Sequence, residues 1–224
     1  MANLYLIATP IGNLADITFR AVKTLQEVDL IACEDTRQTK KLLAYYQISK
    51  PTISYHQHSK VQKIDYLVEQ LQSGKNIAVV SDAGTPGLCD PGGYLVSQVL
   101  QKAPEVQIVP IPGVTALATL ISVAGISLDN FLFLGFLPHK KGRETMYKKI
   151  VASEVPVIFY ESSHRVVKCL EALAKLIPER PVIIGRELTK MFETIYRGTV
   201  AEVKQTILSD KKNEKGEFVI IIEN

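Results

Sequence analysis

The chain has 224 residues, of which 46% are hydrophobic and 22% charged, with 13 glycines and 11 prolines. This is globular composition, enough for one large domain or two of about 110 residues each, and it excludes a disordered chain, a collagen and a coiled coil. A net charge of +3 permits a polyanionic partner without requiring one, and three scattered cysteines, Cys33, Cys89 and Cys169, argue against a disulfide framework or structural zinc and for a reducing compartment.

The opening stretch MANLYLIATPIGN has no basic region and no long apolar run, so no signal peptide is expected. Residues 4–8 form a strand candidate that ends in the turn cluster Thr9-Pro10-Ile11-Gly12-Asn13, and a helix is expected from about Asp16, acting as its N-cap. A strand over 29–33, a helix over 36–47 and a strand over 51–55 follow. Val61, Ile64, Leu67, Val68 and Leu71 recur at helical spacing, and Gly74 closes that helix. Residues 76–81 have a continuous apolar centre, which suits a strand buried on both faces of a parallel sheet, and 106–109 is a fifth strand.

Between Glu105 and Asp129 there is no charge, but Pro110, Pro112 and Gly113 interrupt the run. The remaining helix, 114–124, is too short to span a bilayer. It is expected to be buried on most sides, at a domain or subunit interface. The second half begins again with a strand over 131–136, a basic turn and a helix from about Gly142. Then come a strand over 156–160, a helix marked by Val166, Leu170, Leu173 and Ile177, and strands over 181–185 and 192–197. A helix over 199–208 and a last strand over 217–222 complete the order. Two successive α/β units joined through the uncharged segment predict two domains, 1–113 and 114–224.

The strongest motif is the loop Ser81-Asp82-Ala83-Gly84-Thr85-Pro86-Gly87-Leu88-Cys89-Asp90-Pro91-Gly92-Gly93. It follows a buried strand and precedes a helix, where open α/β sheets bind ligands. Its glycines would let a ligand approach main-chain N–H groups, and Asp82 would accept hydrogen bonds from a hydroxyl or an ammonium. The plainer alternative is a tight loop shaped by Gly and Pro alone. The spacing is not GxGxxG, Gly74-Lys75 is not a phosphate loop, and HExxH and GxSxG do not occur, so NAD and ATP chemistry lose support. Residues 9–13 and 111–116 are strand-end loops of the same kind, expected on the same edge. His56-x-His58 has no third ligand nearby and is read as loop, so no metal is expected.

Taken in order, Thr9-Pro10-Ile11-Gly12-Asn13, Glu34-Asp35-Thr36-Arg37, the 81–92 loop, Pro112-Gly113-Val114-Thr115-Ala116, Gly135-Phe136-Leu137-Pro138, Phe159-Tyr160-Glu161-Ser162-Ser163-His164-Arg165 and Arg186-Glu187-Leu188-Thr189-Lys190 span essentially the whole chain. This series resembles the bacterial ribosomal RNA small subunit methyltransferase I family, in the tetrapyrrole methylase-like superfamily. The resemblance implies the class III methyltransferase fold, two α/β domains with S-adenosylmethionine in the cleft between them. It implies a cytoplasmic homodimer, without membrane or metal, that methylates the ribose 2′-hydroxyl of a cytidine in 16S rRNA of the small ribosomal subunit. It also implies cofactor contacts from Pro10, Asp82, Gly84, Thr85, Val114, Thr115 and Tyr160. Members of the family often continue past the last strand with a small helical region; this chain ends at Asn224.

Transfer to a hydroxyl needs a general base, or a cation that stabilises the developing alkoxide. Glu34, Asp35, Glu161 and Lys190 are the candidates, with His164 and Glu187 behind them. Each has a plainer reading: Glu34 and Asp35 as helix caps, Glu161 likewise, Lys190 as the partner of Glu187 or Glu193. RNA phosphates would fall to Arg37, Lys140, Lys141, Arg143 and Arg165. A superfamily methyltransferase acting on a tetrapyrrole carbon or a modified protein side chain is the competing reading.

Overall fold

A computed structural model describes residues 2–55 and 61–224, and the His56-x-His58 pair lies outside the described residues. The chain divides into two compact units, Met1–Thr115 and Ala116–Asn224.

In the first unit, Asn3–Ile7 (β1), Leu30–Cys33 (β2), Thr52–Ser54 (β3), Ile77–Val80 (β4) and Gln107–Ile111 (β5) form a parallel sheet in the order β3-β2-β4-β1-β5. Phe19–Glu27 (α1), Thr36–Tyr45 (α2), Val61–Gln72 (α3) and Gly92–Lys102 (α4) cover it. Strand alternation divides the core in two. Leu30, Ala32, Ile77 and Val79 pack with Leu67 of α3 and Leu95 of α4. Ile31, Cys33, Ala78 and Val80 pack with Leu25 of α1 and Leu43 of α2. Burial on both faces is why β2 and β4 read as unbroken apolar runs. Pro110 does not end β5, because β5 is an edge strand and an edge tolerates a residue without an N–H. The expected N-cap at Asp16 is also corrected. Asn13 opens a single 3-10 turn over Leu14–Asp16, and α1 starts later, where the Thr18 hydroxyl accepts the Ala21 N–H at 3.0 Å.

In the second unit, Leu132–Phe136 (β6), Val157–Ser162 (β7), Pro181–Arg186 (β8), Thr194–Thr199 (β9) and Glu217–Ile222 (β10) form a sheet in the order β6-β7-β10-β8-β9. β6 and β7 are parallel, and the other pairs are antiparallel. Its main core joins Phe159, Ile184, Phe218 and Ile220 to Ile150 of Arg143–Val151 (α6), Leu173 of Val166–Leu176 (α7) and Ile207 of Val200–Leu208 (α8). Thr199 and Glu202 close a reciprocal capping box on α8.

The uncharged helix, Ala116–Ala124 (α5), departs from expectation. Within the chain it is not buried on most sides: Leu120 and Ala124 are its buried residues, and Val123 is exposed. Leu120 lies so close to β8 that a Cβ on Gly185 would come within 2.9 Å of its Cδ1. Among the described residues no helix is long and apolar enough to cross a membrane.

Candidate active site

The order of the first sheet sets β1 between β4 and β5, and β4 between β1 and β2. Because the strands are parallel, the segments leaving β1, β2, β4 and β5 emerge on one edge. This brings together Pro10, Glu34, Asp35, Asp82, Gly84, Thr85, Val114 and Thr115. Hydrogen bonds lace the segments. Thr9 and Gly84 exchange both backbone bonds at 2.9 Å, and the buried Thr9 hydroxyl donates to the Ser81 carbonyl at 3.2 Å. The Thr85 hydroxyl donates to the Val114 carbonyl at 3.3 Å. Gly84 has φ +84°, and a Cβ there would meet Ile11 at 3.4 Å and the Val114 carbonyl at 3.7 Å. A Cβ on Gly113 would come within 2.8 Å of the Ala8 Cβ. The left-handed φ therefore favours glycine at 84, and the close approach of Ala8 requires it at 113.

The expectation that the glycine N–H groups face a ligand is corrected in part. Gly84 N–H is spent on Thr9, while Gly87 and Gly92 N–H both go to Asp90 Oδ1, at 2.8 and 2.7 Å. The loop spends these donors on its own shape. What it presents at the edge is the exposed Asp82 carboxylate. Asp82 is held in reciprocal fashion: its Oδ1 accepts the Asp35 N–H at 2.9 Å, and its own N–H donates to Glu34 Oε1 at 3.3 Å. An anchored carboxylate beside close backbone suits a ligand that carries hydroxyl and ammonium groups.

The acidic candidates separate by environment. Glu34 is half-buried, and burial raises its carboxyl above the ordinary range; the Asp82 N–H opposes this, and the charges of Asp82 and Asp90 add to it. Asp35 goes the other way. Its side chain accepts the Arg37 N–H at 2.8 Å as a helix cap, and the guanidinium of Arg37 contacts both oxygens. These bonds lower its carboxyl to about 2, which makes it a weak base. Arg37 is thereby paired, though its side chain stays exposed.

Glu161, Tyr160, Arg143, Arg165, Lys140, Lys141 and Lys190 belong to the second unit. Glu161, on β7, is buried, with Oε2 bound to Arg143 and Oε1 2.9 Å from Arg165. Oε1 also accepts the Ser162 N–H at 2.9 Å. Both oxygens are engaged by the fold, so the expectation of Glu161 as a base is corrected. Arg143 and Arg165 as phosphate contacts are corrected for the same reason. Their side chains are 12% and 16% exposed, and they also donate to the Pro138 and Leu137 carbonyls. A buried carboxylate needs compensating charge, and these two guanidinium groups supply it. Lys140 and Lys141 remain exposed on the turn. Tyr160 is half-buried between Phe133 and Phe136, at centroid distances of 5.2 and 5.3 Å.

Lys190 pairs with Glu187 and with Glu217, each at 2.9 Å. Burial works against its charge, but the two carboxylates outweigh this and hold it protonated. Among the described residues no group of three or more His, Cys, Asp or Glu can hold a metal ion. Thr9, Ser81 and Asp90 stand within the quoted loop motifs without a role of their own, yet they are residues that fix the edge. Their signal was a small hydroxyl or carboxylate at a strand end, which many turns share.

Known proteins resemble this chain along nearly its full length. Residues 3–204 match the family described as Tetrapyrrole (Corrin/Porphyrin) Methylases. The Haemophilus influenzae protein named ribosomal RNA small subunit methyltransferase I is 46% identical over 222 residues, which are 98% of this chain and 78% of that protein. The Bacillus subtilis protein of the same name is 44% identical over 224 residues, 100% of this chain and 75% of that one. Among solved structures, uroporphyrin-III C-methyl transferase from Thermus thermophilus, complexed with S-adenyl homocysteine, has a similar fold. Its TM-score is 0.67 at 16% identity, covering 98% of this chain and 97% of that one.

Proposed function

Because the chain belongs to the tetrapyrrole methylase family, and within it to the ribosomal RNA small subunit methyltransferase I group, we propose that it methylates the ribose 2′-hydroxyl of a cytidine in 16S rRNA. The observation that carries this reading is the near-full-length likeness to relatives of that name. It is a methyltransferase, and we assign S-adenosylmethionine as its methyl donor. The laced edge of the first sheet suits that group, with Asp82 receiving its hydroxyl or ammonium donors. Pro10, Gly84, Thr85, Val114 and Thr115 would line it closely, and Tyr160 is a further proposed contact of the cofactor. S-adenosylmethionine held there by these residues would supply an electrophilic sulfonium methyl for the acceptor hydroxyl.

Glu34 takes the hydroxyl proton in this reading. It is the acidic candidate on that edge whose carboxyl lies above the ordinary range, and a base pKa nearer neutrality suits proton transfer. Lys140 and Lys141 meet RNA phosphates, as does Arg37 once it leaves Asp35. The protein acts as a homodimer, for which the exposed apolar side of α5 is a natural face. It works in the cytoplasm, where bacterial ribosomal subunits are. A tetrapyrrole carbon or a modified protein side chain as acceptor rests on fold likeness alone, and fold does not choose a substrate.

The test is methyl transfer. The protein is incubated with labelled S-adenosylmethionine and small ribosomal subunits from cells that lack the modification. Label on one cytidine 2′-oxygen is expected; label absent from the RNA but present on protein or a tetrapyrrole overturns the substrate. A second prediction follows from Glu34. The acid limb of the rate profile should lie above the ordinary glutamate range, and Glu34→Gln should remove that limb and slow transfer by roughly 10²–10⁴-fold. A profile identical in the two proteins would eliminate Glu34 as the base. Stability should move with the opposite sense to most carboxylates. The folded protein holds the Glu34 proton more tightly than the unfolded chain does. This contribution is full below the ordinary glutamate value and is lost as pH rises through the raised one.

A further inference from the structure

Arg186 ends β8 with a buried side chain whose guanidinium donors go to backbone carbonyls. Nε donates to Lys215 O at 2.6 Å, Nη2 to Lys212 O at 2.6 Å, and Nη1 to Phe192 O at 3.2 Å. One guanidinium therefore fixes two loops, 187–193 and 210–216. The first loop is costly to hold. Glu187 and Thr189 have φ of +52° and +66°, the left-handed region that non-glycine residues rarely enter. The Thr189 hydroxyl is buried with no hydrogen-bond partner among the described residues. A Cβ on Gly216 would come within 2.5 Å of Glu187 Cγ, so the two loops touch backbone to side chain.

This strained and braced loop does not bury its own tip. Met191 is 90% exposed and Phe192 66%. On the companion loop Lys211, Lys212 and Lys215 are exposed. Most nearby acids are engaged within the protein: Glu187 and Glu217 by Lys190, Glu193 by the Thr189 N–H, and Asp210 by the Lys212 N–H, while Glu214 lies half-buried on the same loop as the lysines. Two loops tied through one guanidinium thus present the Phe192 ring and Met191 on one and Lys211, Lys212 and Lys215, with Glu214 among them, on the other.

We infer that the paired loops 187–193 and 210–216 are a second RNA-contact surface. Phe192 stacks on an unpaired base of the small-subunit rRNA, and Lys211, Lys212 and Lys215 meet its phosphates. The inference rests on the rRNA reading given above. It adds a surface separate in sequence from the Lys140–Lys141 turn and makes Arg186 a positioning residue for it. Two apolar side chains are too few to seat a protein partner, whereas one ring and three cations match the chemistry of an unpaired, charged strand.

Binding of unmodified small ribosomal subunits, measured over a range of salt, tests this. Phe192→Ala should weaken binding about tenfold, and Phe192→Tyr should restore it. Replacing Lys211, Lys212 and Lys215 with alanine should make the slope of log affinity against log salt shallower by about 2. S-adenosylmethionine affinity should stay the same in every variant, which separates loss of contact from loss of fold. Unchanged subunit affinity and salt slope in the variants would overturn this inference and leave the proposed reaction standing. So would a Phe192→Ala protein that changes oligomeric state, since the tip would then serve a second copy of the chain. Failure of the unaltered protein to bind subunits would overturn the rRNA reading itself, and this inference with it.

Discussion

Glu161→Ala should lower the stability of the chain by about 3–5 kcal/mol, the usual cost of removing one member of a buried ion cluster. The size follows from what stays behind. Arg143 and Arg165 keep their charges in a place where their side chains are mostly covered, and they lose the carboxylate that compensates them. Arg143 also donates to the Tyr147 hydroxyl at 2.7 Å, so the disturbance reaches α6 as well as the start of α7. Glu161→Gln should cost less, because an amide oxygen still accepts from a guanidinium. Urea unfolding followed by far-ultraviolet dichroism measures both. A loss below about 1 kcal/mol, the range of exposed ion pairs, would show that the two arginines simply turn outward to water.

Gly84→Val should reduce methyl transfer on the order of 100-fold, mostly through weaker S-adenosylmethionine binding. A branched side chain is poorly tolerated at φ +84°, and its methyls would press into Ile11 and the Val114 carbonyl. Relief must come from moving the Thr9–Gly84 pairing, which ties the β1 segment to the β4 loop. Gly84→Ala should be milder, since its single Cβ sits at near-ordinary contact distances and the backbone angle is the main cost. Calorimetric titration with S-adenosylmethionine separates the two variants. Equal affinity in Gly84→Val and the unaltered protein would remove this edge as the binding site.

Much of this arrangement was legible in the sequence because it follows from burial. The run at 76–81 pointed to a strand covered on both faces, and β4 is such a strand. The last strand fell where it was expected, Glu217–Ile222. Element starts were less legible. Thr18 and Asp16 are both capping types, and the choice between them turned on a single 3-10 turn built by Asn13. The basic residues were the least legible. A guanidinium in a basic stretch looks the same whether it meets water, a phosphate or a buried carboxylate. Arg165 stands four residues from Glu161, which hinted at a pair, but Arg143 is 18 residues away and reaches it only through the β6–β7 neighbourhood. The helix α5 misled for a related reason. Absence of charge marks a segment that water does not favour, and it does not say whether this chain or another surface covers it.

The place of β10 bears on how the protein is made. It lies between β7 and β8, yet it is synthesised after both, and after β9 and α8. Until residues 217–222 have left the ribosome, the β6–β7 pair and the β8–β9 hairpin have no strand to join them. The first unit has all its strands by Ile111 and can complete its fold while translation continues. The second unit must instead wait with two unpaired strand edges exposed, and closes its sheet in one late, long-range step.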